Sequence, residues 1–326
     1  MRPNDVRIFT AATIILALSA PLFGQNPVQD GIALARQGRY RDARPVLEQA
    51  VKAEPKNAAA QYALGLVYLN SAQDFEKAAA CFEKAVALDD RNAEYHYQLG
   101  VATGRLALTA GRLRQVGLAA KVKKQGLRTL ELDPRHIEAR NGMIQFYLAA
   151  PGVMGGSREK AREQAADVAR IDPYQGELSW ALIASRDRDN AELEKRYKAA
   201  LALNPDGWQA LQSYGSFCLR RNRPDEALAM LSRLADVRPD DPRSHEFLGD
   251  AFLAKGREPD ALQSYEMALS LKPDYDSVLY KLGRHFERKN DTAKAAAYYA
   301  RYLALVKTGR RADQARSRLK QWGKTP

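Results

Sequence analysis

The chain has 326 residues, of which 45% are hydrophobic and 28% are charged, so an ordinary folded protein is expected and a largely unfolded chain is excluded. Its length allows two globular domains or one extended array. The 51 Lys and Arg exceed the 39 Asp and Glu, and the net charge of +12 favours anionic partners without choosing among them.

The first 24 residues differ from the rest of the chain. Arg2 and Arg7 precede an uncharged apolar stretch, residues 8–20, and small residues follow it. This layout is typical of a secretory signal peptide, and it predicts a periplasmic or secreted protein that is cleaved near Ala20 or Gly24. Because the apolar stretch is short for a span of about 20 residues, a retained membrane anchor is only the alternative.

Apolar residues at helical spacing mark paired helices from residue 25 to residue 307. The last three pairs are the most regular, and their equivalent positions recur every 34 residues, at Gly215, Gly249 and Gly283, at Ala227, Ala261 and Ala295, and at Pro239 and Pro273. Weaker matches to the same pattern begin near residue 24. They bring the number of predicted pairs to about eight.

A 34-residue period with Gly, Ala and Pro at these places resembles the tetratricopeptide repeat family. The resemblance implies an all-α, right-handed superhelical solenoid of antiparallel helix pairs. The residue types fit this fold, because small residues let helices approach closely and Pro273 cannot continue a helix. A single pair cannot bury its apolar faces alone, so neighbours must stack. Residues 308–326 predict the basic capping helix and tail that would end the stack.

Two predicted units are longer than the period. The third unit, 93–136, has about ten extra residues, and the fourth, 137–175, has about five. In the fourth unit the extra length is the sequence PGVMGGS, which looks like a phosphate-binding loop but lacks the Lys that such a loop needs after its last Gly. We interpret it as a lengthened turn in which Ser157 caps the next helix.

The extra length of the third unit is rich in bases. Residues 105–128 contain seven Lys or Arg and no acid, alternating with apolar residues at helical spacing. Such a segment can lie on an anionic lipid surface or bind an acidic polymer. Its predicted anion contacts are Arg112, Arg114, Lys121, Lys123 and Lys124. The alternative is a long helix pair with a solvated outer face.

The chain offers no arrangement for catalysis or metal binding. No two of the four His have a metal-ligand spacing, and no nucleophile is accompanied by a base. His96 and His245 occupy one repeat position and are interpreted as packing residues. Cys81 and Cys218 fall in the second and sixth units, too far apart for a disulfide, and are predicted core residues. We therefore expect no enzyme activity, no metal and no cofactor.

The family resemblance also implies a binding groove, because in this family the first helix of each pair lines the concave side. The positions that point into the groove carry aromatic, amide and charged side chains, which suit an extended peptide. These predicted groove residues are Tyr62, Tyr97, Asn141, Gln145, Trp180, Gln212, Tyr280 and Arg284. For Tyr62 and Tyr97 the alternative is packing against the next helix.

Two functions compete at this point. The first is a non-catalytic scaffold of the bacterial envelope that binds a peptide or protein segment in the groove. The second is binding of an anionic membrane surface or polymer through residues 105–128; nucleic acid is not expected as a partner. Salt separates the two, because electrostatic attachment weakens with ionic strength and aromatic contacts do not.

Overall fold

The computed structural model describes residues 26–72 and 74–324. Within these residues the chain forms seventeen α-helices and no β-strand, which confirms the predicted all-α fold. None of these helices is both long enough and apolar enough to cross a membrane. The predicted signal segment, residues 1–24, lies outside the described residues.

Sixteen of the described helices form eight antiparallel pairs. The first helices of the pairs are α1 (Pro27–Arg36), α3 (Ala58–Val67), α5 (Ala93–Thr109), α7 (Ile137–Ala149), α9 (Pro173–Asp187), α11 (Trp208–Arg220), α13 (Pro242–Ala254) and α15 (Asp276–Arg288). The second helices are α2 (Tyr40–Ala53), α4 (Phe75–Leu88), α6 (Arg112–Leu132), α8 (Arg158–Ile171), α10 (Asn190–Leu203), α12 (Pro224–Val237), α14 (Glu258–Leu271) and α16 (Thr292–Leu305). A last helix, α17 (Arg310–Gln321), packs on α16. The predicted eight pairs and capping helix are therefore confirmed.

Local sequence signals fix where these helices begin and end. The side chains of Asn92, Ser157 and Asp189 accept hydrogen bonds from backbone N–H groups in the first turns of α5, α8 and α10. In six of the eight pairs the connection from the first helix to the second contains a residue in the left-handed conformation, at Gly38, Gly155, Arg188, Asn222, Gly256 and Asn290. Each pair is thus closed by a short turn of its own.

In five of the eight pairs the two helices approach closely at a glycine of the first helix. A Cβ on Gly249 would lie 2.5 Å from Cε1 of Tyr265 in α14, and one on Gly283 would lie 2.6 Å from the Tyr299 ring in α16. The same contact recurs between Gly31 and Leu47, between Gly65 and Phe82, and between Gly215 and Leu231. A large side chain of the second helix therefore fills the space that a side chain on the first helix would need.

The described chain divides into two compact units, before and after residue 134. The core of unit 1 joins α2, α3, α4 and α5 through side chains such as Leu47 and Phe82. In unit 2, one core surrounds Phe217 in α11. Another core runs from α14 to α17 and includes Tyr299 and Leu319.

The two longer units use their extra residues differently. In the third pair α5 has 17 residues and α6 has 21, and only Ala110 and Gly111 separate them, so the extra residues lengthen the helices. In the fourth pair they form a connector between α7 and α8 that contains a short 3-10 turn, Gly152–Met154. Ser157 ends this connector and accepts a hydrogen bond from the backbone N–H of Lys160 at 3.2 Å.

The substitution Gly249→Ala tests the close approach within a pair. We expect it to lower the free energy of unfolding by about 1–3 kcal/mol, because the new methyl group overlaps the Tyr265 ring, which is 1% exposed and cannot move aside. Chemical denaturation followed by circular dichroism measures the change. The control is Gly142→Ala in α7, where nothing lies within 4 Å of the added Cβ and a gain of about 0.5–1 kcal/mol is expected. Equal effects of the two substitutions would contradict the close-approach explanation.

Candidate functional site

The first helices of neighbouring pairs in unit 2 lie side by side and are joined by side-chain hydrogen bonds. Ser179 in α9 donates to Oδ1 of Asn141 in α7 at 2.6 Å. Tyr174 at the start of α9 donates to Oε1 of Gln209 in α11 at 3.2 Å. Helix α11 in turn packs on α13. A continuous row of first helices therefore carries Asn141, Gln145, Trp180 and Gln212, which we call the first-helix line.

Two amide side chains of the first-helix line have accessible surface. Gln145 on α7 is exposed, and Gln212 on α11 is half-buried. Each amide offers two donors and one acceptor oxygen, which are the groups that the backbone of an extended peptide requires. Asn141 differs from them, because its oxygen already accepts the hydrogen bond from Ser179.

Trp180 lies on α9, the helix between the two that carry these amides, and is half-buried. The guanidinium of Arg196 in α10 stands over its indole ring, 5.5 Å from the ring centre. Arg196 is fixed in turn by Glu177 at 3.1 Å and by Glu192 at 2.6 Å. The indole is thus held in one orientation with part of its surface accessible, which is a common property of aromatic anchors in binding sites.

In unit 1 the predicted groove residues Tyr62 and Tyr97 occupy equivalent positions on α3 and α5, and both are half-buried. The hydroxyl of Tyr62 donates to Oε1 of Glu94 at 3.0 Å, and its ring centre lies 5.0 Å from that of Tyr95. Burial, with the Glu94 carboxylate adding to it, raises the pKa of Tyr62 above its usual value. Tyr62 therefore packs between the second and third pairs, as the alternative interpretation proposed.

A buried ion cluster joins α13 to α15. Nζ of Lys281 lies 2.7 Å from Glu246 and 2.6 Å from Asp250. Ser277 donates to the Glu246 carboxylate at 2.6 Å, and Tyr275 donates to its other oxygen. Glu246 is only 6% exposed, and burial opposes its ionisation; Lys281 and the hydroxyl donors outweigh that penalty and lower its pKa. The two acids are therefore paired within the protein, and no ligand is needed to satisfy them.

The structure corrects the placement of Tyr280 in the groove. Tyr280 is 6% exposed, its ring packs on Tyr299 and Tyr302, and its hydroxyl donates to Gln314 of α17 at 2.7 Å. It is a core residue, because the capping helix covers its repeat position. Arg284, one turn further along α15, is exposed, and its pKa is raised by a hydrogen bond to the Tyr280 hydroxyl.

Acids of α4 neutralise part of the basic segment. Three bases of α6, at seven-residue intervals, face three acids with the same spacing in and just after α4, forming the pairs Arg114–Glu76, Lys121–Glu83 and Arg128–Asp90. Two of the five predicted anion contacts, Arg114 and Lys121, therefore have carboxylate partners. The other three, Arg112, Lys123 and Lys124, form no ion pair with any residue that the structure describes.

The histidines and cysteines occupy structural positions. Nε2 of His96 lies 3.1 Å from the carbonyl oxygen of Asp90, and Nε2 of His245 lies 2.7 Å from that of Pro239, so both rings bond the chain six residues earlier. Cys81 is free and buried, and burial raises its pKa to about 11, which keeps the thiol protonated at neutral pH. Across residues 26–72 and 74–324, no group of three or more ligating side chains is placed to hold a metal ion.

Comparison with known proteins assigns the family. A family model described as tetratricopeptide repeat matches residues 29–93, 178–234 and 219–276, and a second model with the same description matches residues 278–312. These matches together cover more than half of the chain. The chain belongs to the tetratricopeptide repeat family, and such repeats are scaffolds for protein–protein interaction.

Individual relatives are distant. The chain is 25% identical over 272 residues to mouse superkiller complex protein 3, and the match covers 80% of this chain but only 17% of that protein. It is 25% identical over 191 residues to the type IV pilus assembly protein PilF of Pseudomonas aeruginosa, covering 57% of this chain and 75% of PilF. A crystal structure of a tetratricopeptide repeat protein from Parabacteroides merdae aligns with a TM-score of 0.51 at 15% identity, covering 78% of this chain and 96% of that one. That likeness concerns the fold alone.

The substitution Lys281→Met tests the buried ion cluster. At pH 7 we expect it to destabilise the fold by about 2–3 kcal/mol, because it leaves the Glu246 carboxylate buried without its cation while Lys281 itself is partly exposed. Because the pKa of Glu246 is lower in the folded protein than in the unfolded chain, its ionisation stabilises the wild type at any pH above the unfolded-state pKa. This stabilisation is lost as the pH falls through the folded-state pKa. The difference in the free energy of unfolding between the variant and the wild type should therefore shrink below about pH 4.

Denaturation of both proteins at several pH values measures this difference. The matched control is Lys289→Met, which removes a cation from the exposed pair with Glu258 and should leave the stability close to that of the wild type. The explanation would be contradicted if Lys281→Met lost as little stability as the control. It would also be contradicted if its loss of stability did not depend on pH.

Proposed function

We propose that this scaffold binds an extended peptide or protein segment along the first helices of unit 2. The observation that carries the proposal is the alignment of Gln145, Trp180 and Gln212 on the adjacent helices α7, α9 and α11, with accessible surface on each of them. The amides can bond a peptide backbone, and the indole can cover an apolar side chain. Exposed Arg284 supplies a cation on α15 for an acidic residue of the ligand.

The surroundings of the first-helix line support this proposal because they make it rigid. Ser179 ties α9 to α7, Arg196 orients the indole of Trp180, and Lys281 ties α15 to α13. Side chains that are already fixed lose little conformational entropy on binding, so more of the contact energy appears as affinity.

We further propose that the protein acts in the bacterial envelope. The uncharged stretch 8–20, preceded by Arg2 and Arg7, favours export, and the bacterial relative PilF is named for pilus assembly. Expression of the full chain in a bacterial host tests the proposal: the mature protein should be found in the envelope or outside the cell, and its mass should show cleavage near Ala20 or Gly24. Full-length chain in the cytoplasm would contradict export, and full-length chain in the membrane fraction would favour the anchored alternative.

A photoreactive amino acid placed on the first-helix line tests peptide binding directly. With the probe at Gln145 in the full chain, irradiation of native envelope extract is expected to give a covalent adduct with a protein partner. The matched control carries the probe at Arg162, which is also exposed but lies on the second helix α8. Equal adduct formation from the two positions would mean that the first-helix line is not the binding surface.

Truncation of two aromatic residues separates binding from folding. Trp180→Ala is expected to weaken partner binding by about 2 kcal/mol or more, roughly thirtyfold, because the indole is an accessible anchor. Tyr280→Ala is expected instead to lower the free energy of unfolding by about 3–5 kcal/mol, because Tyr280 is a buried core residue. Titration of the captured partner and thermal denaturation measure the two effects. Unchanged partner affinity in a folded Trp180→Ala protein would remove Trp180 from the site.

A further inference from the structure

An apolar stripe runs along the outer face of α6. Leu113 is 94% exposed, Val116 is 50% exposed and Leu127 is 39% exposed, and Ala120 between them is exposed as well. Steps of three, four and seven residues place these four side chains on one side of a helix. We call them the α6 stripe. Leu108, near the end of α5, is also 77% exposed close to the same hairpin turn.

The other faces of α6 are already occupied. Gln125 and Thr129 are buried, and Oε1 of Gln125 accepts a hydrogen bond from Nδ1 of His96 in α5 at 2.6 Å. Arg114 and Lys121 form the ion pairs with α4 described above. Single exposed apolar residues are ordinary on protein surfaces, but an aligned set on one helix face marks an interaction surface.

Cations border the α6 stripe, and α6 itself carries no acid before Glu131, its second-last residue. Arg112 precedes the stripe, and Lys123 and Lys124 lie between Ala120 and Leu127; none of the three has an ion pair in the part of the chain that the structure describes. No Asp or Glu occurs between residues 95 and 130. The charge of this face is therefore complementary to an anionic surface, and its long basic side chains can reach past the apolar residues to that surface.

We propose that the α6 stripe docks on a membrane surface that contains anionic lipids. Leu113 and Val116 enter the boundary between headgroups and acyl chains, while Arg112, Lys123 and Lys124 contact lipid phosphates. An anionic polymer would use the cations but would offer nothing to the leucines. A protein partner would have to supply an apolar groove lined with acids, whereas a lipid surface accepts a projecting helix face without a matching pocket.

Co-sedimentation of the full chain with vesicles tests this proposal. We expect binding to vesicles of phosphatidylglycerol and phosphatidylcholine in equal amounts, and at least tenfold weaker binding to pure phosphatidylcholine. The double substitution Leu113→Ser and Val116→Ser should weaken binding to the anionic vesicles at least tenfold, and so should the triple substitution of Arg112, Lys123 and Lys124 to Gln. Both sets alter exposed or half-exposed positions, and circular dichroism checks that each variant is folded.

The matched control replaces Lys52, Lys56 and Arg91 by Gln, which removes the same charge from exposed positions elsewhere in unit 1. This control should bind the anionic vesicles within about twofold of the wild type. The proposal would be overturned if the control lost as much vesicle binding as the triple variant, or if the wild type did not bind anionic vesicles. Loss in the triple variant without loss in the Leu113/Val116 variant would assign the face to an anionic polymer instead. If the free protein forms a dimer and the Leu113/Val116 variant does not, this face of α6 would instead bind a second copy of the chain.

Discussion

The close contact between a glycine of the first helix and a large side chain of the second, present in five of the eight described pairs, is the constraint on which the packing of those pairs depends. At Gly249 it brings Tyr265 so near to α13 that the tyrosine hydroxyl donates to Asp250 at 2.7 Å. Asp250 also pairs with Lys281, and Lys281 pairs with Glu246. The packing within one pair thus fixes a polar group on the first helix and, through it, the next pair. A larger residue at Gly249 would disturb this chain of contacts as well as the core.

The first and second helices differ in what they leave accessible. In unit 2 the first helices expose amides, an indole and Arg284, and their acids at Glu246 and Asp250 are already paired with Lys281. These groups can recognise a peptide by directional hydrogen bonds. The second helix α6 exposes leucines and unpaired cations, which have little directional preference and suit a fluid, anionic surface. The two proposed activities therefore need different side chains and use different helices.

Much of the fold could be predicted from the sequence, because the contacts that define a pair are local and recur every 34 residues. The glycine contacts, the cap at Ser157 and the capping helix all follow from patterns within one or two units. The exposure of individual side chains could not be predicted in the same way. The repeat position of Tyr280 says nothing about Gln314 of α17, which covers it. The α4–α6 ion pairs are an intermediate case: their seven-residue spacing is visible in the sequence, but only the fold brings the two series together.

Electrostatics links the two proposed surfaces to the basic composition of the chain. Lys281 holds both Glu246 and Asp250 in ion pairs, and the exposed Arg284 on the same helix leaves a cation accessible to an acidic side chain of the ligand. On α6 two of the predicted anion contacts, Arg114 and Lys121, have carboxylate partners on α4, and Arg112, Lys123 and Lys124 lie beside the apolar stripe. The net charge of +12 alone would favour any anion. The positions of the internal ion pairs decide which cations remain available at each of the two proposed surfaces.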